Sequence, residues 1–151
     1  MSSFIVSPYS PEWPKLFEAI REELLLAFSP TVVAIEHIGS TSVPGLAAKP
    51  VIDVVLGADS LADIESRIKP LGDLGYTYVS KYEDQLPMRR YFVKSPADSL
   101  RIHVHGVEQG SRIWQEHLVF RDRLRADDDL RIRYQDLKLR LAEEFADDKS
   151  A

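Results

Sequence analysis

Apolar residues recur at spacings of three and four at Trp13, Leu16, Phe17, Ile20, Leu24 and Phe28, predicting a helix over Pro11 to Phe28 with one apolar face. Ser10 stands where an N-cap belongs, Pro11 suits the first helical position, and Ser29-Pro30 ends the helix. The period then shortens. Thr31 to Ile38 and Val51 to Leu56 are dense in β-branched residues and predict strands buried on both faces, with Glu36 and His37 the polar exceptions closing the first. Helical spacing returns from Ser60 to Leu71 through Leu61, Ile64, Ile68 and Leu71, with Pro70 limiting the length. Gly72 and Gly75 turn the chain into a third strand, Tyr76 to Ser80. Arg89 to Lys94 and Leu100 to Val107 predict two antiparallel strands joined through Ser95 to Ser99. Two helices follow. Ser111 to Arg125 is expected to bury Trp114, Leu118, Phe120 and Leu124, and Asp128 to Phe145 to turn Leu130, Tyr134, Leu137, Leu141 and Phe145 inward. Asp127, Asp128 and Asp129 suit the positive N-terminus of the last helix. This order of elements predicts a mixed sheet with helices packed on it, an α+β fold.

A chain of 151 residues without repeats or low-complexity linkers reads as one domain over 1–151. At 44% apolar and 28% charged, it falls outside the disordered class. Its apolar runs are far shorter than the roughly 20 residues of a membrane span, so no membrane association is expected. Met1 to Val6 leads straight into Pro8-Tyr9-Ser10-Pro11, and no secretory leader is expected. The absence of cysteine removes disulfides, thiolate metal sites and a cysteine nucleophile, and suits a cytoplasmic protein. The net charge is −5, and the basic residues of Arg112 to Arg133 and Lys138 to Arg140 are interleaved with acids. A phosphate track needs a clustered basic stripe, so no nucleic-acid partner is expected.

Candidate chemistry concentrates in Glu36 to Asp53. A buried strand opens into the small-residue loop Gly39-Ser40-Thr41-Ser42, and the next strand carries one acid, Asp53, among apolar neighbours. Gly39 permits close approach to the backbone; the loop N–H groups and the hydroxyls of Ser40, Thr41 and Ser42 suit phosphate oxygens, and Lys49 adds a cation. The Gly-Lys-Ser/Thr ending of a P-loop is absent. A carboxylate inside a strand such as Val51 to Leu56 is costly unless paired or metal-bound, which leaves open a structural hydrogen bond or a site. His103 and His105, two apart on a strand, share a face with Arg101. If that face meets Asp53, the three side chains could hold Zn²⁺, Mn²⁺ or Fe²⁺; alternatively Arg101 and the histidines bind an anion, one imidazole acting as general acid or base. A half-exposed strand with outward polar residues is the plainer alternative. Of Glu36 and His37, and of Arg89 and Arg90, only one each can face that site, and His117 reads as a helix–sheet contact.

The phrase running from Glu36-His37-Ile38-Gly39-Ser40-Thr41-Ser42 to Ala48-Lys49-Pro50-Val51-Ile52-Asp53-Val54 resembles the signature of the GrpB family, a branch of the nucleotidyltransferase superfamily. Further pieces extend the resemblance over nearly the whole chain: Tyr9 to Trp13, Arg101 to His105, Trp114 with His117-Leu118 and Phe120 to Arg125, and Tyr134 with Leu137-Lys138 and Leu141-Ala142. The resemblance implies a nucleotidyltransferase-like mixed sheet. It also implies a nucleotide or other phosphorylated small molecule as ligand, held by Gly39 and Ser40, with a divalent metal such as Mg²⁺. Family members fused to dephospho-coenzyme A kinase point the same way. In the superfamily two acids one residue apart bind two Mg²⁺ ions and a third acid comes from a later strand. Here Asp53 has Val51 and Val55 at the positions two away, and His103 and His105 stand where the later acid would be. Most of the negative charge that holds Mg²⁺ is therefore missing. Two readings follow: a nucleotidyltransferase-like enzyme, or a catalytically inactive binding or assembly module on the same fold.

Overall fold

A computed structural model describes the backbone of residues 6–150 and the side chains of residues 6–144; Phe145 lies outside the described side chains. The elements are α1 (Glu12–Phe28), β1 (Ala34–Ile38), a 3₁₀ turn (Ser40–Ser42), β2 (Val51–Ala58), α2 (Leu61–Glu65), α3 (Ile68–Asp73), β3 (Thr77–Val79), β4 (Arg90–Lys94), β5 (Arg101–Glu108), α4 (Arg112–Ala126) and α5 (Asp128–Ser150). The sheet has five strands in the order β1-β2-β5-β4-β3. Only β2 and β5 run parallel; the other pairs are antiparallel. The mixed α+β architecture read from the sequence is the one found.

Strand alternation gives the two faces of the sheet different fates. Ile52, Val54, Leu56, Ile102, Val104 and Phe92 point to one face and pack with Phe17, Ile20, Leu24 and Phe28 of α1 in the main core. The opposite face carries Asp53, Val55, His103, His105 and Tyr91. There α4 packs against β1, β2 and β5, closing over Val55 and Val107 with Trp114. Leu124 of α4 joins Val43 and Leu46 of the loop in a smaller cluster, against which Leu130 and Tyr134 of α5 rest. The Asp53 end of this face stays open.

Local departures from the expected elements have identifiable causes. Helix α1 starts at Glu12, whose N–H bonds to the Ser10 hydroxyl at 3.2 Å. The first strand begins only at Ala34: Thr31 N–H closes a turn onto the Phe28 carbonyl at 2.7 Å, and Val32 is 86% exposed. The helix expected from Ser60 to Leu71 is two short helices broken at Ser66-Arg67. Pro70 has no N–H to give Ser66 and its ring crowds that carbonyl, so a continuous helix fails there. Phe120, Leu137 and Leu141, expected inside, are 49%, 49% and 41% exposed; only the first turns of α5 reach the loop beneath it.

Candidate functional site

The loop between β1 and β2 is shaped by the residue that follows it. Gly39 has φ +72°, and a Cβ there would lie 2.7 Å from Asp53 Oδ2. Both conformation and space demand glycine, because the Asp53 carboxylate packs over it. Two of the loop hydroxyls are spent inside the loop. Buried Thr41 donates to the Val51 carbonyl at 3.0 Å and meets His37 Nε2 at 2.9 Å. Its one proton is committed to Val51, so His37 Nε2–H is the donor. Ser42 donates to the Gly39 carbonyl at 2.5 Å. Helix α4 pins the loop through Arg125, which donates to the Ser42 carbonyl at 2.9 Å, and α5 through Gln135, which accepts from Ala47 N–H at 2.8 Å.

Ser40 is the loop hydroxyl turned outward. It stands 3.4 Å from Tyr134 Oη and 3.4 Å from Lys138 Nζ, both on α5. With Thr41, Lys49, Val51, Asp53 and His103, Ser40 and Lys138 line a recess of about 160 Å³. Of the residues expected there, Ser40, Thr41, Lys49 and Asp53 line the recess, Gly39 lies under the Asp53 carboxylate, and Ser42 is not part of the lining; Thr41 and Ser42 are committed to internal bonds. Arg101 is not with them. It is exposed and lines a neighbouring trough beyond His103.

The parallel register sets Asp53 beside His103 and Val55 beside His105. His105 Nε2 lies 3.4 Å and His103 Nδ1 3.5 Å from the same oxygen, Asp53 Oδ1. Arg89 Nη1 meets His105 Nδ1 at 3.2 Å. A guanidinium can only donate, so Nδ1 accepts, the ring proton sits on Nε2, and His105 donates to Asp53. Burial works to raise the Asp53 carboxyl, but the hydrogen bonds from His103 and His105 outweigh it and hold the group well below the usual carboxylate range. His103 Nε2 is buried with no hydrogen-bond partner among the described residues. Tyr91 packs against both imidazoles, with ring centroids 5.6 Å from His103 and 5.2 Å from His105. His117 of α4 lies 5.4 Å from His105, the expected helix–sheet contact, and burial lowers its pKa.

The three expected metal ligands therefore come together, but as a hydrogen-bonded cluster. Both nitrogens of His105 are engaged, and the nitrogen left free on His103 is not the one at the carboxylate. Two lysines face the recess against one carboxylate. Among the described residues no three His, Cys, Asp or Glu side chains form a group that could hold a metal. As it stands the donor set fits an anion better than Mg²⁺, Mn²⁺ or Zn²⁺. Glu36 faces the site side but is taken by Arg121 at 2.7 Å, while His37 faces the core and stacks on Phe17. Arg89 is the arginine of its pair that reaches the cluster; Arg90 pairs with Glu65 at 3.4 Å. Lys138 and Tyr134 are the functional candidates that the reading of loop and strands missed. Their spacing of four puts them on one helix face, which is the signal that marks them in the sequence.

The model of the family described as GrpB protein matches residues 3–151. Among curated relatives, UPF0157 protein YqkA of Bacillus subtilis is 39% identical over 92% of this chain and 40% of its own length. A dephospho-CoA kinase of Mycolicibacterium paratuberculosis is 33% identical over 93% of this chain and again 40% of its own length. The chain thus spans well under half of these two relatives. Of solved structures, the conserved protein GrpB from Enterococcus faecalis superposes with TM-score 0.85 at 34% identity, over 95% of this chain and 86% of that one. A cytoplasmic RNA terminal U-transferase superposes with TM-score 0.57 at 17% identity, over 83% of this chain and 38% of that one, a likeness of fold. No helix among the described residues is long and apolar enough to cross a membrane. The chain belongs to the GrpB family and has a nucleotidyltransferase-like α+β fold.

Proposed function

We propose that this chain, working as one cytoplasmic domain, binds the phosphate groups of a nucleotide or other phosphorylated small molecule in the recess between Ser40, Lys49 and Lys138. The observation that carries this reading is the recess itself: two lysines and an outward hydroxyl opposite Asp53 and His103. Its volume of about 160 Å³ suits phosphate groups and leaves the rest of the ligand outside. The loop supplies Gly39 and Ser40, with Thr41 and Ser42 holding its shape, and Lys49 and Lys138 neutralise the anion. Asp53, with His103 Nδ1 3.5 Å and His105 Nε2 3.4 Å from one of its oxygens, faces the lysines as the acidic side of the recess. The dephospho-CoA kinase name of one relative supports a nucleotide or coenzyme as the ligand class.

The test is calorimetric titration of metal-free protein with inorganic pyrophosphate and with nucleoside triphosphates, repeated with Mg²⁺, Mn²⁺ and Zn²⁺. Lys49→Ala and Lys138→Ala are each expected to weaken binding about tenfold or more, since charge-assisted bonds contribute about 1.5–3 kcal/mol. Binding untouched by both substitutions would remove the recess from the reading. A second reading, a catalytically inactive binding or assembly module, is favoured by the lone carboxylate and by exposed Phe120, Leu137 and Leu141 on α4 and α5. A titration silent for every phosphate and metal, with a stable protein complex lost on Phe120→Ser, would select it.

A further inference from the structure

Beyond His103 the same sheet face holds a second concavity, of about 510 Å³, over β3, β4 and the start of β5. Val79 and Val93 form an apolar floor, Tyr82 and Tyr91 stand as aromatic walls, and Lys81 and Arg101 supply two cations at the rim. No carboxylate lines it. Neither Lys81 nor Arg101 has an acidic partner among the described residues. The aromatic rings are already in use as platforms for cations: Arg89 lies 4.5 Å over Tyr91 and Lys81 5.0 Å over Tyr82. Unpaired positive charge asks for an anion, and rings beside an apolar floor ask for a planar ring.

We propose that this trough is a second binding site, for a ring-bearing anion of the nucleoside monophosphate class, separate from the phosphate recess. Its ring lies over Val79 and Val93 against Tyr82 and Tyr91, and its phosphate pairs with Arg101 and Lys81. The size agrees: the trough is about three times the recess, within the range that small-molecule sites occupy. The two concavities flank one group. His103 lines the recess, and Tyr91, which lines the trough, packs on the His103 ring. Two ligands bound together would therefore meet across the Asp53–His103 pair. The trough inference uses the recess only as its neighbour and stands or falls by its own residues.

Titration of the full chain with adenosine 5′-monophosphate tests it, with ribose 5-phosphate as the charge without the ring and adenosine as the ring without the charge. Arg101→Ala and Tyr82→Ala alter exposed side chains, and thermal melting checks that both fold like the parent. With the recess filled by pyrophosphate, each is expected to weaken the monophosphate about tenfold, with both control compounds weaker still on the parent. The monophosphate and pyrophosphate are expected to bind together without competing. Loss of monophosphate binding in Lys49→Ala but not in Arg101→Ala would overturn the trough and leave the recess standing. So would one triphosphate per chain weakened equally by both sets of substitutions, which would mean a single ligand spanning both concavities. No binding of the monophosphate to the parent at millimolar concentration overturns the trough whatever pyrophosphate does.

Discussion

Two polar clusters built on histidine sit on opposite faces of the same sheet and differ in how completely their hydrogen bonds are used. On the core face, His37 donates to Thr41, Thr41 donates to the Val51 carbonyl, and the imidazole stacks on Phe17 at 4.9 Å. Every step of that chain has a partner, and its members are buried. On the other face, Asp53 collects His103 and His105 while His103 Nε2 is left without one. The first cluster locks the loop to the strand. The second keeps unspent capacity beside a recess lined by two lysines. Buried polar groups in folded proteins are nearly always satisfied, and the incomplete cluster, together with the lysines beside it, is what supports the ligand proposed for the recess.

The joint between the two clusters is Gly39, and breaking it has the largest expected effect. Gly39→Ala forces a side chain into φ +72° and against the Asp53 carboxylate. The backbone term of about 1–2 kcal/mol and an overpacking term of about 1–3 kcal/mol together predict a loss of roughly 3 kcal/mol in chemical denaturation. An unchanged midpoint would mean the loop can swing away from Asp53, and the contact would lose its meaning.

Acid probes the core-face cluster next. Burial, followed by the charge of Arg125, pushes His37 down to about 4 from an ordinary 6.5. Between those two values the unfolded chain binds a proton that the folded chain refuses, so stability falls as pH drops from 6.5 to 4 and this contribution levels off below. The gap corresponds to a loss of up to about 3 kcal/mol. His37→Gln, which can keep an N–H on Thr41 but does not titrate, is expected to flatten the slope measured by urea denaturation across that window. A slope of equal steepness in the variant would move the effect to another group, His117 being the first candidate. Thr41→Val strands the His37 donor and is expected to cost about 2 kcal/mol, leaving pyrophosphate affinity within about twofold after correction for the unfolded fraction. A larger loss of affinity would return the Thr41 hydroxyl to the ligand.

How much of this was legible in the sequence depended on distance along the chain. Asp53 announced itself as one acid in an apolar run, and His103 and His105 as alternate residues on a strand, because both patterns are local. That Asp53 meets His103 follows from β2 and β5 pairing in parallel, and no local pattern encodes which distant strand becomes a neighbour. Lys138 stands 98 residues from the serine it reaches. Arg101 shared the face of the histidines as alternation required, yet at the end of its strand it turned to the neighbouring trough. Helical periodicity placed Phe120 and Leu137 inside, but a spacing of three and four marks only which residues share a face; whether anything covers that face depends on tertiary packing. Thr31 to Val33 had the composition of a strand, and a turn at the end of α1 took them instead.

The smallest expected effect on stability is also the sharpest test of the contrast. Ser40 is partly exposed, and its contacts to Tyr134 and Lys138 are both long, at 3.4 Å. Ser40→Ala removes a weakly used hydroxyl at a surface, so its unfolding free energy is expected to stay within about 0.5 kcal/mol of the parent. If the outward face is the binding face, the same change removes a donor from the phosphate and lowers pyrophosphate affinity by about fivefold, the equivalent of about 1 kcal/mol. Thr41→Val and Ser40→Ala, adjacent in sequence, then separate cleanly: one costs stability without affinity, the other affinity without stability. Should Ser40→Ala instead destabilise the fold and leave binding intact, Ser40 would join Thr41 and Ser42 as a loop-building hydroxyl. The anion would then have to be held by the lysines and loop N–H groups alone.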